Sequence, residues 1–307
     1  MSKISSSPVV SRPHTRGTIL VALSGMLFGL MGLLGTRLID LHFSIENMLF
    51  WRFLIATVCV SISTVMFKNK MRTPDQQSLH IIKIFFLGAL SYSGASGFYF
   101  LASKHIGTGL AMVIFFSFPV FVTLFAWTMG TWKMNIIAFA ALLAVMSGLF
   151  LLKGDADNTL DGMGIVLAVV AACSFATYVY SSQQATKSLD SRWLALFVCF
   201  GNTLIFLALS LYTHSFMFPT SLAAWFYIGM LAIIATALPI QLLLDGLKYI
   251  SPVKASILSV LEPVVTVLVG LLFLGESMSV MQTIGVVIVL LGAILIQFER
   301  TPVSGTT

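Results

Sequence analysis

The sequence predicts an all-α integral membrane protein with ten transmembrane helices arranged as two inverted five-helix repeats. Three observations predict this fold class: an apolar composition, a series of ten long apolar segments, and a similarity between the two halves of the chain. Hydrophobic residues make up 58% of the 307 residues and charged residues only 9%, whereas a soluble domain carries about 25% charged residues. Because the chain cannot cover its surface with polar groups, we expect the lipid bilayer to be its solvent.

Ten apolar segments are long enough to cross the hydrocarbon core of a bilayer, which takes about 20 helical residues. Each segment is a continuous apolar run without two-residue alternation, which indicates helices rather than strands. The connections are short, so no soluble domain is expected between the spans. The ten segments cover approximately residues 17–37, 45–67, 80–101, 106–128, 134–152, 161–182, 192–213, 222–244, 251–274 and 278–298.

The distribution of basic residues predicts that both termini are cytoplasmic. Ten spans bring both ends to one side of the membrane, and cytoplasmic loops are enriched in Lys and Arg. Of the 17 Lys and Arg residues, 13 lie on the side of the termini, Arg52 lies inside the second span, and three lie on the opposite side: Arg37, Lys104 and Lys153. We therefore expect a multi-pass protein of the inner (cytoplasmic) membrane, with cytoplasmic tails at 1–16 and 299–307. The basic residues do not form a patch, so no nucleic-acid partner is indicated.

The chain resembles itself at a constant offset of 144 residues, which aligns 102–127 with 246–271. The matched positions include two prolines and two glycines: Pro119 with Pro263, and Gly148 with Gly292. Each copy contains five spans, and an odd number of spans inverts the second copy relative to the first, as in many secondary transporters. We expect a first repeat at 17–152 and a second at 161–298. Chance alignment of apolar helices is the alternative.

Three stretches of the sequence resemble a known family: "SKHIGTGLAMVIFFSFPVF", "LKYISPVKASILSVLEPVVTVLVGLLFLGE" and "GVVIVLLGAIL". They are similar to the EamA-type branch of the drug/metabolite transporter superfamily, and the resemblance covers nearly the whole chain. It implies a ten-helix transporter with a central cavity, but no particular substrate. The two halves depart from one another in chemistry, because Phe118 and Trp132 stand where the second repeat has Glu262 and Glu276.

Glu262 is an acid inside the apolar run of the ninth segment. A charge at this depth costs at least about 2.5–3.5 kcal/mol and faces the protein interior or a watery cavity. Because desolvation favours the neutral carboxyl, Glu262 is a candidate to carry a coupled proton or to bind an amino group of the substrate. A structural pair with Lys254, or a hydrogen bond to a neighbouring helix, is the alternative.

Pro119 and Pro263 lie at the centres of the fourth and ninth segments. Proline removes a backbone donor and clashes with the preceding turn, and in a membrane the freed carbonyl is tolerated where it is satisfied or lines a cavity. We expect two helix kinks that shape the cavity walls. Static kinks that serve only packing are the alternative. In the first segment, the spacing Gly25-x-x-x-Gly29 predicts close approach of a second helix.

Arg52 lies about one and a half turns into the second segment, and we expect its long side chain to snorkel to the outer interface. The alternative is that it faces inward and binds a carboxylate or phosphate. Further polar residues are candidates to line the cavity, while tight helix packing accounts equally well for the small ones. These candidates are Tyr92, Ser96, Tyr99, Ser117, Thr177, Tyr178, Thr236 and Gln241.

Catalytic signatures such as HExxH, a Gly-rich phosphate loop followed by Lys, or a nucleophile elbow do not occur in the sequence. The prediction is therefore a secondary transporter, with no cofactor or metal, that moves a small polar or amphipathic metabolite such as an amino acid by alternating access. Export is favoured over uptake. Proton coupling stays open, as does the choice between a monomer and a homodimer. A membrane-embedded enzyme and a small-molecule channel are the alternatives from other classes.

Overall fold

The computed structural model describes residues 12–66, 78–133, 135–152, 161–274 and 279–298. Residues 1–11 of the predicted N-terminal tail, the predicted C-terminal tail, and the predicted loop charges at Lys153 and Glu276 lie outside these residues, whereas 12–16 form the start of the first helix. The described chain contains α-helices, short π-helical and 3-10 turns, and no strand.

Thirteen α-helices follow one another in the described chain. They are α1 (Arg12–Phe28), α2 (Met31–Asp40), α3 (Ile45–Met66), α4 (Ser78–Phe115), α5 (Phe118–Thr128), α6 (Ile136–Leu152), α7 (Gly162–Ala185), α8 (Ser191–Tyr212), α9 (Leu222–Ala232), α10 (Leu238–Gly246), α11 (Pro252–Ser259), α12 (Leu261–Val269) and α13 (Val280–Leu295). Two π-helical turns, Ile233–Ala237 and Gly270–Leu274, extend α9 and α12, and a 3-10 turn, Ile296–Phe298, extends α13.

These helices form ten membrane spans. Eight helical stretches are long and apolar enough to cross a bilayer, and two shorter apolar helices, α5 and α6, accompany them. Helix α4 contains the third span and the start of the fourth, because Gly107 has φ 75° and ψ 158° and breaks the helical path. Glycine adopts this backbone conformation at little cost. The predicted all-α fold with ten transmembrane helices is confirmed.

The contact between the fifth and tenth spans reflects the relationship between the two halves. A Cβ atom built on Gly148 would lie 2.8 Å from the carbonyl oxygen of Gly285, and one on Gly292 would lie 3.1 Å from the carbonyl oxygen of Ala141. The offset of 144 residues relates Gly148 to Gly292 and Ala141 to Gly285. The two contacts therefore join equivalent positions of the two repeats. Reciprocal contacts of this kind are typical of a two-fold relationship.

Two repeat-related spans are interrupted near their centres. The fourth span breaks between the end of α4 and Phe118, and Pro119 is the second residue of α5. The ninth span breaks at Val260, and Pro263 is the third residue of α12. Each break lies within the turn before the proline, which cannot donate a hydrogen bond to the preceding turn.

The first span packs against the break in the ninth span. A Cβ atom on Gly25 would lie 3.3 Å from the carbonyl oxygen of Ser259, which is the carbonyl that Pro263 leaves without a donor. A Cβ atom on Gly29 would lie 2.6 Å from Cβ of Val265 and 2.8 Å from the carbonyl oxygen of Glu262. The two glycines therefore permit the close approach that their spacing predicts, and they bring the first span beside Glu262.

Candidate functional site

Arg52 points into the bundle, and the expectation that it snorkels to the interface is wrong. Its side chain is only 2% exposed. The Nε atom donates a hydrogen bond to Oγ1 of Thr236 at 2.5 Å, and Nη1 contacts Sδ of Met31. The guanidinium also lies 5.0 Å from the centre of the Phe53 ring, a favourable position for a cation. These neighbours hold the side chain among helices α2, α3 and the π-helical turn that follows α9.

One end of the Arg52 guanidinium has no well-placed acceptor. Its Nη2 atom is buried and has no acceptor at hydrogen-bonding distance among the described residues, and the neighbouring polar group is the hydroxyl of Tyr92. The acid whose charge acts on Arg52 is Glu262, yet the two side chains form no ion pair within 4.0 Å. A buried donor without an acceptor is costly, so this arrangement is suited to receiving an acceptor from a ligand.

Glu262 lies opposite Arg52 as the second residue of α12. Its side chain is half-buried. Among the described residues none donates a hydrogen bond to its carboxylate, and its charge acts on the hydroxyls of Tyr92 and Tyr99. The alternative partner, Lys254, is also buried. The charge that acts on Glu262 is that of Arg52. We refer to Arg52, Tyr92, Tyr99, Thr236 and Glu262 as the charged site.

Aromatic side chains close one side of the charged site. Phe118 and Phe175 pack edge to face with their ring centres 4.7 Å apart, and Tyr92 packs against Tyr178 at 5.0 Å. Phe115 lies 5.5 Å from Phe175. The rings come from α4, α5 and α7, and we refer to Tyr92, Phe115, Phe118, Phe175 and Tyr178 as the aromatic plug. Tyr178 is fully buried, and its hydroxyl makes no hydrogen bond to a described residue.

A second aromatic cluster covers the end of the bundle where α3 begins. Its members are Phe50, Trp51, Phe216, Phe218 and Trp225, which we call the aromatic lid. Trp51 is its centre, with ring centres of Phe50, Phe218 and Trp225 at 5.1, 5.2 and 5.4 Å. The indole of Trp51 donates a hydrogen bond to the carbonyl of Met217 at 3.0 Å. The charged site therefore adjoins both clusters, because Arg52 follows Trp51 of the lid in α3 and Tyr92 is shared with the plug.

A cavity of about 600 Å³ lies beyond the plug, at the opposite end of the bundle from the lid. We call it the Lys83 vestibule. Helices α4, α5 and α7 line it, and its polar wall contains Lys83, Thr177, Tyr180, Ser181 and Gln184. Thr177, a predicted cavity residue, therefore lines this vestibule and not the charged site.

The remaining predicted site residues are distributed over several places. Ser117 lies at the break between α4 and α5 and donates a hydrogen bond to the carbonyl of Ile114 at 2.6 Å, and Ser96 is half-buried on α4. Gln241 is not brought to the charged site, because its amide nitrogen is held by Ser191 at 3.0 Å and Asp245 at 2.9 Å.

Sequence reasoning missed the cluster that contains Gln241. Asp245 accepts hydrogen bonds from Ser191 at 2.5 Å and from Lys248 at 3.0 Å, and Lys248 also lies 3.8 Å from Asp190. The cluster joins the end of α10 to the beginning of α8. An acid at the end of an apolar run, in "LLLDGLKYI", was the available signal. Its partner in α8 lies more than 50 residues away and has no signal of its own.

A family profile matches the chain twice. The profile of the EamA-like transporter family covers residues 15–153 and again residues 162–298. The chain belongs to the EamA-like transporter family. It is 26% identical over 299 residues to the inner membrane transporter YicL of Salmonella typhimurium, which covers 92% of this chain and 96% of that protein. It is 28% identical over 236 residues to the threonine/homoserine exporter RhtA of Escherichia coli, with coverage of 74% and 72%.

Two further comparisons bear on this member of the EamA-like family. The transporter YcbK of Bacillus subtilis is 27% identical over 197 residues, which span 61% of this chain and 62% of YcbK. A crystal structure of a protein 17% identical in sequence superposes with a TM-score of 0.80 and covers 92% of this chain and 98% of that one. This last similarity concerns the fold alone. Family membership identifies the protein as a multi-pass membrane transporter with a small-molecule substrate.

Proposed function

We propose that this protein exports a small zwitterionic metabolite, an amino acid or a close relative, across the cytoplasmic membrane by alternating access. The observation that supports this proposal is the pairing of Arg52 and Glu262 inside the bundle without direct contact. Each has unused hydrogen-bonding capacity, and the two carry opposite charges. In this proposal the carboxylate of the substrate binds to Arg52, and the ammonium group of the substrate binds to Glu262.

The chemistry of the two groups favours a zwitterion over a simple anion or cation. A guanidinium recognises a carboxylate through charge-assisted hydrogen bonds, and the free Nη2 of Arg52 is a buried donor. A simple anion would leave Glu262 unpaired in the bundle, and a simple cation would leave Arg52 unpaired. Because unpaired buried charges are costly, a ligand that satisfies both is favoured. The apolar lid and plug would exclude water from the site while the ligand is bound.

The direction of transport is proposed from a relative. RhtA, which is named as a threonine/homoserine exporter, is 28% identical to this chain. For the mechanism, we propose that Pro119 and Pro263 shape the walls at the two interrupted spans, and that the lid and the plug open in turn. Proton coupling through Glu262 is part of the proposal.

The orientation is proposed from the charge distribution, with both termini cytoplasmic and the two repeats, 17–152 and 161–298, inverted. A reporter fused after Thr307 should signal a cytoplasmic location, and one fused after Asp157 should signal the periplasm. A periplasmic C-terminus would contradict the orientation.

The substrate class can be tested by counterflow in proteoliposomes. Vesicles loaded with unlabelled L-threonine should take up labelled L-threonine, and unlabelled L-homoserine should compete. Threonine methyl ester, which lacks the carboxylate, and N-acetylthreonine, which lacks the ammonium, should both compete poorly. Counterflow by none of the proteinogenic amino acids, or full competition by the ester, would overturn the proposal.

Variants of the two charged residues should distinguish substrate binding from proton coupling. Arg52→Gln should lower exchange by about two orders of magnitude, since truncating one partner of a buried charged pair costs about 2–5 kcal/mol. Arg37→Gln is the matched control, because Arg37 is exposed and lies beside Asp40 at 4.0 Å. Glu262→Gln keeps the shape of the side chain. It should weaken exchange if Glu262 binds the ammonium, and it should abolish only accumulation driven by a pH gradient if Glu262 carries a proton. Unchanged transport in Glu262→Gln would leave Glu262 a structural role.

A further inference from the structure

We propose that the Lys83 vestibule is a second substrate-binding site on the transport path. Lys83 binds the carboxylate of the substrate, and the opposite, apolar wall contacts the apolar side chain of the substrate. The occupant's identity rests on the proposed function. The site itself rests on the geometry of α4, α5 and α7, and it can be tested without transport.

The vestibule and the plug are consecutive levels of the same three helices. On α4 the vestibule residue Leu87 precedes the plug residue Tyr92 by five positions, and on α7 Ser181 follows Tyr178 by three. On α5 Phe125 follows Phe118 by seven positions. At about 1.5 Å of rise per residue, the vestibule ends within one or two helical turns of the rings. A ligand that leaves the vestibule past the plug therefore enters the charged site.

The vestibule is amphipathic. Leu87, Phe125 and Met129 contribute apolar surface. On α7 the hydroxyl of Ser181 donates to the carbonyl of Thr177 at 2.6 Å and keeps its lone pairs free to accept a hydrogen bond. The carbonyl oxygen of the Gln184 amide accepts from Lys187 at 3.0 Å, which leaves its NH₂ group as a donor. The wall thus offers the Ser181 hydroxyl as an acceptor for an ammonium group, the Gln184 amide as a donor, and apolar surface for contact with a side chain.

Lys83 adds a charge for which the described residues supply no counter-ion. It is exposed on the vestibule wall, and in the described part of the chain it has neither an ion-pair partner nor a hydrogen-bond acceptor. Lys248, at the same end of the bundle, is instead held by Ser191 at 2.8 Å and by Asp245 at 3.0 Å. A single ammonium beside a cavity attracts an anionic group, and the same carboxylate is the group that Arg52 would receive next.

The size of the vestibule indicates the range of side chains it admits. Small-molecule sites enclose roughly 300–1,000 Å³, and about 600 Å³ is ample for an amino acid with a large apolar side chain. We therefore place L-leucine, in addition to small polar amino acids, among the compounds that the vestibule binds.

The first experiment measures the electrostatic potential in the vestibule with charged thiol reagents. The variant is Ser181→Cys in a background in which the native cysteines are replaced: Cys59→Ser, Cys173→Ser and Cys199→Ala. An anionic methanethiosulfonate should modify the new thiol faster than a cationic one of similar size. Lys83→Gln should slow the anionic reagent and accelerate the cationic one, each by about threefold, from the loss of one nearby charge in a partly aqueous site.

The same Ser181→Cys variant is used for a control substitution and for the identity of the bound ligand. Lys104→Gln removes a charge from the other end of α4 and should change neither rate. L-leucine should protect the thiol from modification, leucinamide should not, and Lys83→Gln should remove the protection. Arg52→Gln should retain it, so a failure of the charged site is distinguishable from a failure of the vestibule.

Two results would overturn the inference. The first is equal rates for the two reagents that Lys83→Gln leaves unchanged, since the lysine would then not act on the cavity. The second is that the new thiol is not labelled in phosphatidylglycerol vesicles although it is labelled in phosphatidylcholine vesicles. In that case Lys83→Gln would restore the labelling in phosphatidylglycerol, and L-leucine would have no effect on it. That result would identify the occupant as an anionic lipid headgroup.

Discussion

The fourth and ninth spans have the same backbone construction and opposite chemistry. Each breaks near its centre just before a proline, Pro119 or Pro263. Immediately before the proline, the fourth span has Phe118, which is fully buried in the aromatic plug. The ninth span has Glu262, which is partly accessible and faces Arg52. The difference indicates that a duplicated backbone feature carries a buried aromatic ring in one repeat and a charged group in the other.

The same contrast extends to the helices packed against the two breaks. The first span approaches the ninth through Gly25 and Gly29. The stretch "GIVLAVVAACSFA" of the sixth span, which corresponds to "GTILVALSGMLFG", has Ala172 and Ala176 at those places, both fully buried. Backbone therefore contacts backbone beside Glu262, whereas side chains fill the space beside Phe118.

The largest expected effect comes from Phe118→Ala. Removing a buried Phe side chain costs about 3–5 kcal/mol of folding free energy, so we expect a large loss of folded protein in the membrane. Glu262→Gln at the equivalent position should leave abundance and thermal stability unchanged while it alters transport. Size-exclusion profiles and unfolding temperatures in detergent would measure both. Equal stability losses in the two variants would contradict the division of roles.

A smaller effect is expected from Gly29→Ala. The new methyl group would lie 2.6 Å from Cβ of Val265 and 2.8 Å from a backbone oxygen, and overpacking of this kind costs about 1–3 kcal/mol. Gly97→Ala is the matched control, because a Cβ atom there would meet no atom within 4 Å. Thermal unfolding of both variants should show a lower midpoint for Gly29→Ala alone. Tolerance of Gly29→Ala would mean that the first and ninth spans can separate at little cost.

The two prolines should sharpen the comparison at the level of transport. Pro263→Ala restores one backbone hydrogen bond and moves Glu262, and we expect transport to fall by about tenfold because displacement of a positioned group by about 1 Å is costly. Pro119→Ala should reduce transport less, since it moves the rings of the plug and not a charged group. The amount of each variant in the membrane should equal that of the parent protein. A loss of transport that only follows a loss of abundance would favour a packing role for the prolines.

The smallest effect is expected at the outer ends of the helices. Asp161 caps α7 by accepting a hydrogen bond from the backbone N–H of Met163 at 3.0 Å, and it lies 2.6 Å from Nδ1 of His105. Both interactions, the backbone hydrogen bond first, lower the pKa of Asp161 below its ordinary value of 3.8. A depressed pKa in the folded state contributes stability above the unfolded pKa, and this contribution is lost as the pH falls through the folded pKa.

Asp161→Asn should therefore be slightly less stable than the parent protein at neutral pH, and the difference should shrink as the pH falls below 3.8 and vanish below the lower pKa of the folded state. Asn also caps helices well, so the variant isolates the charge. Unfolding temperatures in detergent across this pH range are the measurement. A difference that persists at low pH would assign the effect to the hydrogen bonds and not to the charge.

Much of the candidate site was visible in the sequence because polar residues are rare in apolar spans. Glu262, Tyr92 and Tyr99 were selected on that basis, and both tyrosines lie close enough to Glu262 to respond to its charge. Arg52 was also recognised, but its direction was predicted wrongly. An arginine in a helix near a membrane interface can extend its side chain to the interface or turn it into the bundle. Which of the two is favourable depends on whether polar partners from other spans, here Thr236 and Met31, lie close by.

The sequence by itself determined that the protein is helical, that it crosses a membrane ten times, and where two of its helices break. These properties follow from hydrophobicity along the chain and from the missing N–H of proline, which are local. The tertiary structure alone decided that Arg52 turns inward, that Gln241 belongs to a separate cluster with Asp245, and that Lys83 stands beside a cavity. Each depends on which spans are neighbours, and apolar spans of similar composition have little in their sequences that distinguishes one neighbour from another.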